Sequence, residues 1–214
     1  MKKYETILFD CDGVIFNSNK IKSQVFYDVT YGYSIQAAQE LVEYNQQYGG
    51  ISRHEKFKYF VNEILPKFSH EKPSESALIA SFAKHVKQRL MKCEVSPYLR
   101  DIACKFSKTQ FAVVSGGYEP ELREIFQARE LYAYFSGGIW GSPDTKFQII
   151  EKHFSKLNPR LTLFIGDSEL DYDVAKFFGF DFVFVSGWTE LRNWKNFVYA
   201  NNILHITDLK GLLQ

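Results

Sequence analysis

The chain has 214 residues, 45% of them hydrophobic and 17% aromatic, with 26 Lys and Arg against 25 Asp and Glu for a net charge of +1. That length suits one core domain with a smaller appended one, and the near-neutral balance excludes a global field for nucleic acid or an acidic membrane. Three cysteines, Cys11, Cys93 and Cys104, are too sparse for a disulfide framework and lack zinc-ligand spacing, which points to a reducing compartment, the cytoplasm.

Lys2 and Lys3 precede an apolar run, but Glu5, Asp10 and Asp12 interrupt it, unlike a signal peptide. No window approaches the roughly 18 apolar residues of a membrane span. Within that run Thr6-Ile7-Leu8-Phe9 predicts a buried strand. Asp10-Cys11-Asp12-Gly13-Val14 follows. Carboxylates two positions apart leave an extended chain on the same side. Held close in water-poor surroundings they repel, and a cation or a shared proton relieves that. One can attack while the other moves protons. The glycine lets the backbone turn sharply beside a ligand. Calcium loops and plain turns use the same short pattern, so it does not stand alone. Cys11 reads as a small apolar residue packing behind the loop.

Residues 17 to about 94 carry helical periodicity. Helices are expected over about 20–30 and 34–48. Ser52-Arg53-His54-Glu55 reads as a capping box opening a third helix, whose stripe is Phe57, Phe60, Val61, Ile64, Leu65 and Phe68. Pro66 bends or ends it. Leu78, Ile79, Phe82, Val86 and Leu90 mark a fourth. The region reads as a four-helix insertion.

From about residue 97 strands and helices alternate. Phe111-Ala112-Val113-Val114 is a strand ending at Ser115-Gly116-Gly117, where a hydroxyl and glycine N–H groups at a strand-to-helix turn suit a phosphate oxygen. Glu119-Pro120 opens a helix. Gly138 to Gly141 is a short strand, and Ser142-Pro143-Asp144 starts a helix reaching about Leu157. Lys146 falls in its first turn, where a cation opposes the macrodipole and a nearby anion would account for it. Leu161 to Ile165 is a buried strand ending at Gly166-Asp167. Ser168-x-x-Asp171 is itself a capping box, and its helix runs to about Phe178. Asp173 reads as a surface residue. Asp181 to Val185 is a strand, and Ile203 to Ile206 an edge strand before a short terminal helix. Such alternation implies a parallel sheet covered on both faces, with ligands beyond the carboxyl ends of its strands. The polar clusters after Phe9, Val114 and Ile165 would meet there, and Asp167 would join Asp10 around a hard divalent cation such as magnesium.

Taken together, these four short motifs in this order resemble the haloacid dehalogenase superfamily, in its phosphatase branch of phosphoglycolate phosphatases and beta-phosphoglucomutases. The resemblance implies a Rossmann-like α/β core, residues 1–16 and 95–214, with a four-helix cap, residues 17–94. It implies Asp10 as the nucleophile forming an aspartyl-phosphate, and Asp12 as general acid/base. Ser115 and Lys146 would hold the transferring phosphoryl group beside Gly116. Magnesium would sit on Asp10, the Asp12 backbone carbonyl, Asp167 and Asp171. Many relatives carry the third-motif lysine in Gly-Lys-Pro; here that place reads Gly141-Ser142-Pro143, with Lys146 one turn on. Asp12 separates phosphoester chemistry from the dehalogenase and phosphonatase branches, which lack it. The expectation is therefore a magnesium-dependent phosphatase for a small phosphorylated metabolite, with a phosphomutase or a non-catalytic binding protein as alternatives. Gly50-Ile51-Ser52-Arg53 is similar to a cap segment of beta-phosphoglucomutase-type members, which implies an anion-binding Arg53. Lys20, Lys22, His54, Lys56 and Lys58 read as a solvated basic face.

Overall fold

The computed structural model describes residues 3–214. Its strands are β1 (Thr6–Phe9), β2 (Gln110–Tyr118), β3 (Gly138–Ser142), β4 (Thr162–Gly166), β5 (Asp181–Val185) and β6 (Leu204–Ile206). They form one sheet in the order β3-β2-β1-β4-β5-β6, parallel throughout. Helices α1 (Asn19–Thr30), α2 (Ile35–Gln47), α3 (Arg53–Tyr59) and α4 (Glu75–Leu90) lie between β1 and β2. Helix α5 (Leu99–Lys105) leads into β2, and α6 (Glu119–Ala128), α7 (Lys146–His153), α8 (Glu169–Phe178) and α9 (Trp194–Ala200) each follow a strand. The fold is thus the doubly covered, Rossmann-like α/β sheet that the alternation predicts.

The two faces follow the period-two alternation of the strands. Ile7, Phe9, Phe111, Val113, Leu163 and Ile165 enter one apolar cluster, which continues without a break into Phe26, Phe57, Phe60, Phe82 and Leu90 of the helical insertion. Leu8, Ala112, Val114, Trp140 and Phe164 face the other way, onto Ile149, Ile150, Val174 and Ala175 of α7 and α8. Central β1 is wholly buried, as a strand covered on both faces must be. It sits between β2 and β4, so crossovers diverge on either side of it and leave a crevice at its carboxyl end.

Several local expectations change. Strand β2 does not stop at Ser115 but runs to Tyr118, with a register shift against β3 between Val114 and Tyr118. Ser115-Gly116-Gly117 is therefore strand rather than strand-to-helix turn. Ser142 ends β3 instead of opening a helix, and α7 starts at Lys146 behind the Thr145 cap. The competing signal was the Thr145/Gln148 capping box, which satisfies orphan donors better than Ser142 would. The box expected at Ser52 is half formed: its hydroxyl accepts from the Glu55 N–H, with no reciprocal bond. After Tyr59 the helix widens into a π turn over Phe60–Ile64 and tightens over Leu65–Lys67 around Pro66. That rotation leaves Phe68 exposed, outside the stripe its spacing suggested.

Candidate active site

Asp10 is the first residue beyond β1, and its N–H donates to the Ile165 carbonyl at 2.8 Å. This bond fastens the end of β1 to the end of β4, where Asp167 follows. Asp167 approaches so closely that a Cβ on Gly13, which has φ +78°, would lie 2.1 Å from its Oδ2. Only glycine fits there, in both backbone conformation and space. Asp171 stands in the first turn of α8 with its capping box complete: the Ser168 N–H donates to its Oδ2 at 3.2 Å, and the Asp171 N–H donates to Ser168 Oγ at 3.3 Å. Asp10, Asp167 and Asp171 bring carboxylate oxygens within 4.8 Å of one another, all buried.

Lys146 enters this cluster from α7. Its fully buried ammonium donates to Asp10 Oδ1 at 2.7 Å and Asp171 Oδ1 at 2.5 Å. The nearby anion that its place in a first turn calls for is thus a pair of carboxylates. The displaced third motif thus reaches both the first and the fourth.

Three carboxylates against one ammonium leave two negative charges in a dry site. Burial pushes Asp10 up to about 7, opposed by Lys146 and reinforced by Asp171 and Asp12. Asp167 is raised well above the carboxylate range by burial and then by Asp10 and Asp171. Lys146 is raised because its two carboxylates outweigh its own burial. A hard divalent cation with oxygen ligands matches both the charge deficit and the donor set. Asp10, Asp167 and Asp171 would hold it, and the group would supply Lewis-acid polarisation of a phosphoryl oxygen.

Asp12 stands outside that cluster. Ser18 donates to its Oδ1 at 2.6 Å, and the Lys22 ammonium of α1 pairs with its Oδ2. Burial alone would raise its carboxyl, but Lys22 and Ser18 hold it below the ordinary range. Ser115 is fully buried, and its Oγ accepts from the Gly117 N–H at 3.0 Å. Gly116 lies beneath the insertion: a Cβ there would sit 2.2 Å from the Gly50 carbonyl oxygen. The insertion is therefore closed onto the strand ends, backbone against backbone. A cavity of about 80 Å³ remains, lined from the sheet by Asp10, Asp12, Gly116 and Asp167 and from the helices by Lys22, Arg53 and Lys56.

Arg53 is buried at this boundary. Its Nη2 pairs with Glu121 of α6 at 2.5 Å, while its Nη1 has no hydrogen-bond partner. The solvated basic face is a partial correction. Lys20 and Lys58 are exposed and His54 is half-buried, but Lys22 is paired to Asp12 and Lys56 is only 5% exposed. A signal for the latter was present: Arg53, Lys56, Phe57 and Phe60 fall at i, i+3, i+4 and i+7, one helix face. Sequence reasoning missed Asn19 altogether. Its amide donates to Asp167 Oδ2 at 2.6 Å and to the Trp188 carbonyl at 3.0 Å. Asp173 is exposed. Cys11 is buried, with its thiol pushed up by that burial, as a packing residue requires.

The model of the haloacid dehalogenase-like hydrolase family matches residues 7–185. No curated protein matches the sequence. Among solved structures, a Lactobacillus plantarum protein assigned as a phosphoglycolate phosphatase superposes with TM-score 0.71 at 18% identity, covering 99% of each chain. The beta-phosphoglucomutase of Clostridium difficile gives 0.73 at 17% identity, covering 98% of this chain and 93% of its own. A Bacillus subtilis protein assigned as a hydrolase of this kind, solved with magnesium bound, gives 0.61 at 17%, covering 94% and 100%. At these identities the likeness is one of fold.

Proposed function

The chain belongs to the haloacid dehalogenase-like hydrolase family, and from that membership we propose a magnesium-dependent phosphatase that hydrolyses a small phosphomonoester through an aspartyl-phosphate on Asp10. The observation that carries this reading is the gathering of Asp10, Asp12, Gly116 and Asp167 at one cavity from three strand ends, with Lys146 of α7 paired to Asp10. Asp10 attacks phosphorus with a carboxylate oxygen; the bond to the ester oxygen breaks, and the leaving alcohol takes a proton from Asp12. Water then attacks the same phosphorus while Asp12 removes its proton, and inorganic phosphate leaves Asp10. The first half needs Asp12 as acid and the second as base. Its pairing with Lys22 favours the base form.

Ser115, Gly116 and Lys146 would hold the phosphoryl oxygens, and Arg53 an anionic part of the substrate. Residues 17–94 act as a cap that excludes water and strengthens these charges. The enclosed cavity, about 80 Å³, is in keeping with a small phosphorylated metabolite. The reading is tested by phosphate release from a panel of phosphorylated metabolites. Exhaustive chelation should abolish release and magnesium restore it, with calcium a poor substitute because it favours more ligands and looser geometry. Full activity after chelation overturns the reading.

A further inference from the structure

Asn19 is the first residue of α1, and its amide nitrogen donates twice: to Asp167 Oδ2 at 2.6 Å and to the Trp188 carbonyl at 3.0 Å. A side-chain amide has two donors, so both are used. Both partners are acceptors, which puts the nitrogen rather than the oxygen on that side. The fit is close: a Cβ on Gly13 would come within 2.5 Å of this nitrogen. Helix α1 gives up its own cap in the same place. Ser18 stands at the cap position but makes no capping bond, and its hydroxyl goes to Asp12 Oδ1 at 2.6 Å. A serine used that way forgoes stabilisation of the helix. The start of α1 is therefore arranged around the acidic site at the helix's expense.

Asp167 is held at its backbone too. The Thr189 hydroxyl donates to its carbonyl at 2.7 Å and accepts from the Leu191 N–H at 3.1 Å. Between those residues Glu190 reaches into the insertion, where Ser23 of α1 donates to it at 2.5 Å and Gln46 of α2 at 3.2 Å. The loop after β5 thus touches Asp167 through Thr189, Asn19 through Trp188, and α1 and α2 through Glu190.

An ionised Asp167 is repelled by Asp10 and Asp171, which share its cluster. A charge-assisted bond from an amide that is itself anchored sets the rotation of the carboxylate against that repulsion. We infer that Asn19 is a positioning residue for the candidate metal site: it orients Asp167 to receive the cation, and because it belongs to α1 it ties a well-placed Asp167 to a closed insertion. The inference rests on the magnesium part of the proposed function. By linkage the coupling is reciprocal, so closure of the insertion tightens magnesium binding and magnesium occupancy favours the closed insertion.

The test uses the full chain, stripped with chelator and titrated with magnesium chloride by calorimetry. Asn19→Leu is nearly isosteric and has no donor; it should bind magnesium about tenfold or more weakly, as expected when the partner of a metal ligand is lost. Glu190, bonded among the described residues to Ser23 and Gln46 and to none of the three carboxylates, tests the coupling from a distance. Glu190→Ala should weaken magnesium about fivefold or more, and it keeps the test open should the leucine variant misfold. Exchange of the hydrogen-bonded Lys22 and Leu191 amides should slow when magnesium binds the wild-type protein and should not respond to it in Asn19→Leu. A merely structural asparagine would speed exchange with and without the metal alike and keep the difference. That result overturns the inference, as does an unchanged magnesium affinity in both variants, while the phosphatase reading stands. A wild-type protein that binds no magnesium overturns the metal site and this inference with it. Failure to release phosphate from any ester, while both variants lose magnesium, overturns the phosphatase reading and leaves Asn19 in its role.

Discussion

Asp10 is asked to do two opposed things: to stay ionised as a nucleophile and to stand in a dry site among like charges. Lys146 at 2.7 Å makes the first possible, and the raised pKa records the second. Asp10→Asn keeps the shape and the bond from Lys146 but removes the attacking oxygen. Turnover should fall on the order of 10⁴-fold or more, as for other nucleophile deletions. The melting temperature should hold, because one buried negative charge fewer lessens repulsion with Asp167 and Asp171. Near-normal turnover of the variant, followed as phosphate release, would assign the nucleophile elsewhere. Asp10, Asp12, Asp167 and Asp171 were legible in the sequence because each sits where an apolar run ends or a cap begins, which is local information. Asn19, Ser23 and Glu190 were not: their partners lie 148, 167 and 167 positions away, and no local pattern encodes such a pairing.

Helix α3 shows why a single element can be read correctly and its purpose missed. Its apolar stripe predicted a helix with Phe57 and Phe60 inward, and both are fully buried. The same phase turns Arg53 and Lys56 inward, towards the cavity rather than into water. The segment before it, Gly49-Gly50, comes close to the strand ends, with the Gly50 carbonyl where a Gly116 Cβ would stand. Gly116→Ala retains the backbone N–H, so any phosphate contact through that group survives. The added methyl must displace the Gly50 backbone and hold the cap away. An ångström of such displacement is enough for about a hundredfold loss of kcat/KM, and the melting temperature should fall as well, because the insertion and the sheet share one apolar cluster. An alanine variant with full kcat/KM would show that closure is not needed for turnover. The start of α7 was misread for a related reason: Ser142-Pro143 looks like a helix opening, yet Ser142 is fully buried as the last residue of β3, a demand set by the sheet rather than by the local residues.

For the molecule as a whole, the acidic cluster couples folding to metal and to pH. In the unfolded chain Asp10 titrates near 3.8, and in the metal-free fold it is raised to about 7; Asp167 is raised in the same direction. The fold therefore binds more protons than the unfolded chain across that window, and the stability these groups contribute, complete below about pH 4, is lost as pH rises towards 7. Asp12 works oppositely: its lowered pKa contributes stability above its unfolded value, lost only in stronger acid. Lys56, lowered to about 7, adds stability as pH rises from there towards its unfolded value, with or without metal, so it cancels in a comparison of the two states. Magnesium binds the deprotonated cluster and supplies the charge it lacks. At a hundred times its dissociation constant it contributes about 2.7 kcal/mol, which for a chain of this size raises the melting temperature by roughly 5–10 °C. Thermal melts from pH 5 to 8, with chelator and with saturating magnesium, should show the metal-free curve declining and the gap between the curves widening as pH rises, since protons compete with the cation at pH 5. A gap that stays constant, or that narrows at pH 8, would mean that these three carboxylates do not hold the ion.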